Sequence, residues 1–323
     1  MKRRTKIIWW SVFGILAMLV WYFIIGIESN RTGSFYNKKH NAIWLGHEWV
    51  DTIKSKEEVY DLVNNLKKHQ IDTVFVHSGP IEGDGGISPK VYKYAPEFIN
   101  QAKEFDDSIQ YQAWMGQIRS KIDLDKPEIR AKIVKQAKIM TELVGFDGIH
   151  YDIEPVWDED NGFIELLKET RENLTEGKKI SVALAEFIPQ GVIWISGGIH
   201  NFENHNSELN YSNVAKYADQ IVTMVYDTGI NHDWLYLWLV KEQTIWVTNI
   251  VEDREVFIAI PSYDEVKPGF NPGVENIGEG LAGIIQGLNN IRSNEESFAG
   301  VAIYAYWEMD ENEWETYEKM WVK

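Results

Sequence analysis

The sequence predicts a (β/α)8 barrel preceded by one N-terminal transmembrane helix. Three observations predict it. Eight short β-branched or aromatic runs alternate with helical patterns between residues 41 and 323. Polar and aromatic side chains gather at the C-terminal ends of those runs, where a barrel carries its active site. Ahead of them, a basic flank leads into 21 residues without a charge, Ile7 to Ile27.

Residues 1–6, "MKRRTK", hold Lys2, Arg3, Arg4 and Lys6 and read as a cytoplasmic flank. The uncharged stretch 7–27 is long enough to span a bilayer at ~1.5 Å per residue. It lacks the short apolar region and small-x-small site of a cleaved signal, so an uncleaved signal-anchor is expected, with the bulk of the chain outside the cell. Residues 28–40, "ESNRTGSFYNKKH", are polar and read as a tether. The domain proper is expected over 41–323.

The net charge is −17, of which the first six residues contribute +4, leaving −21 on residues 7–323. So acidic a body excludes phosphate-mediated nucleic-acid binding and favours neutral or basic substrates. Cysteine is absent, which excludes disulfides and thiolate metal sites. An exported chain without disulfides fits a bacterial surface. The 14 Trp and 15 Tyr suit either a large core or a sugar-stacking cleft, and composition does not choose between them.

Strands are expected at 42–47, 73–77, 109–116, 148–154, 179–186, 220–227, 256–261 and 300–307. The clearest helix is "SKEEVYDLVNNLKKHQ": Ser55 and Glu58 form a capping box, and Val59, Leu62, Val63 and Leu66 repeat at helical spacing. "DKPEIRAKIVKQAKIMTELV" and "NGFIELLKETREN" read as further helices. The Trp-rich segment 231–247 reads as a barrel helix, because Lys241 and Glu242 interrupt it. A doubly wound sheet is the alternative, and it lacks a glycine-rich phosphate loop after the first strand. The expected strand ends are His47, His77, Gln117, Glu154, Glu186, Asp227, Ser262 or Tyr263, and Trp307 or Glu308.

The fourth run, "GFDGIHYDIEP", carries the chemistry. Alternation puts Ile149, Tyr151 and Ile153 on one face and His150, Asp152 and Glu154 on the other. The apolar set should meet the helices and the ionisable set the barrel interior. Close, buried carboxyls push one pKa upward, so such a strand can hold a protonated acid near neutral pH. Glu154, nearest the mouth, is the one a substrate would reach.

This stretch resembles the signature of the family 18 glycoside hydrolases, the chitinases and endo-β-N-acetylglucosaminidases. Phe146, Asp147, Gly148, Asp152 and Glu154 match it, while His150 stands where the family has its middle Asp. The resemblance implies that Glu154 protonates the glycosidic oxygen and that Asp152 orients and stabilises the substrate's N-acetyl group. "MVYD" at 224–227 is similar to the family's sixth-strand motif, implying that Tyr226 binds the acetamide carbonyl with Asp227 nearby. "AIPSYDE" and "GVAIYAYWEMD" resemble the seventh and eighth strands. They bring in Tyr263, and place Tyr304 or Trp307 on the floor of the sugar site. Gln117 and His150 complete the expected substrate contacts. A neutral His150 would donate a hydrogen bond to Asp152, and a protonated one would lower the pKa of Asp152.

The implied activity is retaining hydrolysis of an N-acetylated oligo- or polysaccharide, assisted by the substrate's own acetamide, without cofactor or metal. Two other readings remain open. One is a metal-dependent hydrolase using His77, His150 and Asp152, which lacks an H-E-x-x-H spacing. The other is a non-catalytic carbohydrate-binding barrel.

Overall fold

The computed structural model describes residues 36–188 and 206–322, together with Gly14. Eight parallel strands close into one barrel in the order β1 to β8. They are β1 (Asn41–Leu45), β2 (Ile71–His77), β3 (Gln110–Ile118), β4 (Gly148–Glu154), β5 (Lys179–Ala185), β6 (Gln220–Met224), β7 (Glu255–Pro261) and β8 (Phe298–Tyr304). Between and after them lie α1 (Lys56–Lys68), α2 (Ala95–Phe105), α3 (Pro127–Lys138), α4 (Asn161–Asn173), α5 (Glu208–Ala215), α6 (Asp233–Ile250), α7 (Ile277–Asn289) and α8 (Glu311–Tyr317). The expected barrel is present, and the doubly wound alternative is excluded by closure.

Local signals explain the elements. Ser55 and Glu58 form the reciprocal capping box of α1, whose Val59, Leu62, Val63 and Leu66 are all buried. α6 covers the Trp-rich segment as a barrel helix. Among the described residues no helix is long and apolar enough to cross a membrane. The expected anchor at 7–27 lies outside the described residues apart from Gly14.

Part of the expected tether is docked instead. Asn37 is buried, and its amide donates to Gln70 Oε1 and to the Trp321 carbonyl, both at 2.9 Å. Polarity suggested a linker, but these polar groups are satisfied beneath the barrel, where Trp321 Nε1 also donates to Asn41 Oδ1 at 2.8 Å.

Alternation along each strand builds two cores. Ile149, Tyr151 and Ile153 pack outward with the helices. Inside, Ala42, Trp44, Phe75, Trp114, Val222, Phe257 and Ala259 fill the barrel, with Tyr226 and Tyr304 packed on them. β3 and β4 pair with Trp114 opposite His150, Gly116 opposite Asp152 and Ile118 opposite Glu154. That register decides which side chains meet in the site. At the start of β4, a Cβ on Gly148 would sit 2.4 Å from the Lys179 carbonyl, so only glycine fits so close to β5. Asp147 anchors the same strand, accepting from the Tyr111 amide at 3.0 Å and pairing with Lys103.

Candidate active site

The side chains of β4 divide by depth. His150 is fully buried, Asp152 is half-buried, and Glu154 is exposed at the C-terminal mouth. Trp114 on β3 donates its indole N–H to Asp152 Oδ2 at 2.8 Å, and Asp152 Oδ1 is buried without a partner. Burial raises Asp152, while hydrogen bonds from Glu154 and Trp114 oppose the rise. Glu154 is raised well above the usual carboxyl range by its surroundings, then by the charge of Asp152, with Asp227 and Glu186 adding to it. Water reaches Glu154, so the burial contribution is the part to discount; the neighbouring charges point the same way. The charge of Asp152 thus favours the protonated form of Glu154.

The far wall is aromatic. Tyr226 lies two residues past β6 and stacks on Tyr304, with ring centroids 5.4 Å apart at 18°. Its hydroxyl is raised by burial, then by the charge of Glu154, with Asp152 among the further causes, so it remains a hydrogen-bond donor beside the carboxyls. Tyr304, at the end of β8, also meets Trp44 edge-on at 5.5 Å and packs on the inner core. Trp307 sits on the turn beyond it, 44% exposed, with its ring 5.7 Å from that of Tyr304. Of these two residues, Tyr304 packs on the inner core and Trp307 is exposed beyond it. Tyr263 donates to Asp227 Oδ1 at 2.6 Å, and Lys267 holds Oδ2 at 3.0 Å. Asp227 itself takes a left-handed backbone, φ 57°, which Asp tolerates better than most residues and which turns the chain out of β6.

Two expected contacts are corrected. His150 reaches neither a substrate nor Asp152, because Trp44 Nε1 donates to its Nε2 at 3.2 Å and Ser181 Oγ lies 2.7 Å from its Nδ1. Burial pulls its pKa down to about 3, so it is neutral and does not lower Asp152 by charge. Gln117 belongs to the outward parity of β3; its amide donates to the Ile81 carbonyl and its Oε1 accepts from the Ile118 amide. It shapes the neighbouring loop rather than the cleft floor.

The metal-hydrolase alternative fails on its donors. Both nitrogens of His150 are engaged, and among the described residues no group of three His, Asp or Glu side chains is arranged to hold a metal.

Sequence reasoning missed three residues. Trp114 was legible from the alternation of "QYQAWMGQ", since Gln112, Trp114 and Gly116 share the inward parity. Glu186, raised to about 7 by burial, with the charge of Asp227 adding, was noted only as a strand end. Trp157, 46% exposed three residues past Glu154, has the Arg119 guanidinium 5.1 Å from its ring, and Arg119 is itself locked to buried Asp160. Nothing in the local sequence announces that contact.

No family model matches the chain, and no curated protein does. Solved structures do. The Bacillus cereus spore cortex-lytic enzyme SleL superposes with a TM-score of 0.62 at 14% identity, over 90% of this chain and 76% of that one. The Ostrinia furnacalis Group IV chitinase gives 0.58 at 14%, over 88% and 99%. The Chromobacterium violaceum chitinase gives 0.57 at 14%, again over 88% and 99%. The chain shares the eight-stranded parallel barrel fold of these enzymes.

Proposed function

We propose that the chain is a membrane-anchored glycoside hydrolase, its barrel outside the cytoplasm, that cleaves β-linked N-acetylhexosamine polymers with retention. The observation that carries the reading is the β4 pair: an accessible Glu154 whose protonated form is favoured by the neighbouring Asp152, itself bonded by Trp114, with Tyr226 beside both.

The chemistry follows from that pair. The substrate's acetamide oxygen attacks the anomeric carbon as the glycosidic bond breaks, and the Glu154 proton passes to the leaving oxygen. The positive charge that grows on the resulting oxazolinium ring is offset by Asp152, which is a transition-state-specific interaction. Tyr226 holds the acetamide in attack geometry. Water then reopens the ring, giving its proton to Glu154, and the product keeps the β configuration.

An acidic body of −21 outside the first six residues favours neutral glycans over acidic ones. Chitinases and a spore cortex-lytic enzyme among the structural neighbours make chitin oligosaccharides and N-acetylated peptidoglycan strands the first substrates to try. Anchoring rests on the basic flank and the uncharged stretch at 7–27, and fractionation of cells expressing the full chain tests it. Activity is tested by incubating the full-length protein with a panel of N-acetylated glycans, with Glu154→Gln as the blank, and reading the anomer released first. Retention on at least one glycan is expected. Binding without cleavage would sink the hydrolase reading in favour of a carbohydrate-binding barrel.

A further inference from the structure

His150 is built out of the reacting group by a hydrogen-bond chain with a single polarity. Its Nε2 accepts from Trp44, so its proton sits on Nδ1 and is given to Ser181 Oγ. Ser181 donates to Gln112 Oε1 at 2.8 Å, Gln112 to Gln220 Oε1 at 2.6 Å, and Gln220 to Glu255 at 2.7 Å, on the opposite end of the barrel. No hydrogen of the imidazole is left for Asp152. Phe75 stacks on its face at 3.9 Å and closes it in further.

Asp152 must therefore be fixed by something else, and the neighbouring strand supplies it. The Trp114 ring is braced edge-on by His77 at 4.6 Å and by Tyr304 at 6.2 Å. The next inward residue on β3 is Gly116, where a Cβ would lie 3.2 Å from Trp114 Nε1 and 3.9 Å from Asp152 Oδ2. That glycine leaves the gap through which the indole reaches the carboxylate. We propose that Trp114 is the positioning residue of this site: its indole N–H, with room made by Gly116, fixes one oxygen of Asp152 and leaves the other free for the reaction, a task His150 cannot share. The proposal rests on the hydrolase reading above.

A hydrogen bond to the charged form of an acid favours that form. Among the described residues, the titratable groups around Asp152 are Glu154 on its own strand, His77 against Trp114, Glu186 beyond β5, Tyr226 and Asp227 beyond β6, Tyr263 against Tyr226, and Tyr304. Burial, with the charge of His47 adding, keeps His77 down at about 4, and burial raises the three tyrosines, so none of these four changes charge between pH 5 and 8. Removing the indole donor should then raise Asp152 and move the acid limb of kcat/KM upward.

The test compares Trp114→Phe, Gly116→Ala and His150→Gln with the unmutated full-length protein. Trp114→Phe is expected to shift the acid limb up by about one pH unit, a ~10-fold loss below it, and Gly116→Ala to shift it the same way by less. His150→Gln should lower thermal stability and leave the limb where it is. A limb that stays put in a folded Trp114→Phe protein, or that moves only in His150→Gln, overturns the proposal. A second measurement needs no turnover. In the 15N-indole spectrum of the protein, one N–H resonance should titrate with Asp152 and move on Asp152→Asn substitution. If the protein cleaves nothing, the hydrolase reading falls, and a spectrum in which no indole signal follows Asp152 then removes Trp114's role as well.

Discussion

The two ends of the barrel use the same residue types to opposite effect. At the floor, Glu255 lies between His40 at 3.7 Å and Lys179 at 3.5 Å and accepts from Gln220. Burial alone would raise it, but the bond from His40, then that from Gln220 and the charge of Lys179, hold it down at about 2. His40 in turn bonds Asp72 at 2.7 Å. At the mouth, Asp152, Glu154, Glu186 and Asp227 converge, and Lys267, on Asp227, is their one paired cation among the described residues. There the carboxyls go up: Glu186 to about 7, Glu154 well above its usual range. Partial burial is common to both ends. The sign of the neighbouring charge decides the outcome: the floor pairs its carboxyls with cations, and the mouth crowds them together.

Substitutions at the mouth should therefore cost activity and little stability. The largest effect is expected from Glu154→Gln, which in the proposed mechanism removes the proton donor to the leaving oxygen. Hydrolysis should fall by about 10³-fold or more, with the melting temperature unchanged or higher because a crowded carboxyl is gone. Residual turnover within tenfold of the unmutated protein would reassign the acid. Asp152→Asn keeps the shape and the Trp114 bond but removes the charge that, in the proposed mechanism, offsets the oxazolinium. A kcat loss of about 10²-fold is expected, as for other single electrostatic stabilisers. Asp227→Asn should act more gently, through pH. Asp227 is one of the charges that raise Glu154, so neutralising it lowers the Glu154 pKa, and the alkaline limb of kcat/KM should move to lower pH by about half a unit. A move to higher pH would contradict the crowding account.

The sequence-to-structure agreement follows the same division. β4 was legible to the residue, because its period-2 alternation is long and bounded by Gly148 and Pro155. β6 and β8 were read three residues too long, ending at Met224 and Tyr304. Past those points Tyr226, Asp227 and Trp307 still look strand-like, but their backbone is committed to shaping the cleft, and Asp227 has turned left-handed. Parity also placed His150 correctly inside the barrel. Its partners were not readable, since Trp44 and Ser181 come from β1 and β5 and are fixed only by barrel closure. Gln117 shows the converse failure. It was chosen as a strand end, although its odd parity on β3 already pointed it away from Trp114 and Gly116.

The smallest expected effect lies at the floor and should leave activity untouched. His40 is partly buried, which by itself would lower its pKa, but the hydrogen bonds and charges of Asp72 and Glu255 outweigh this and raise it to about 9. The folded-state value lies above the unfolded one, near 6.5, so its stabilisation is complete below about pH 6.5 and is lost as pH rises through about 9. His40→Gln should thus melt several degrees lower than the unmutated protein at pH 6, a deficit of about 2 kcal/mol once partial solvent access is allowed for. By pH 10 the two melting temperatures should meet. Hydrolysis at pH 6 and 25 °C should be the same for both, because the nearest titratable groups of the mouth are separated from His40 by the neutral Gln220, Gln112 and Ser181 links. A stability gap that persists at pH 10 would mean that His40 acts through packing on Phe257, 5.0 Å away, rather than through its charge.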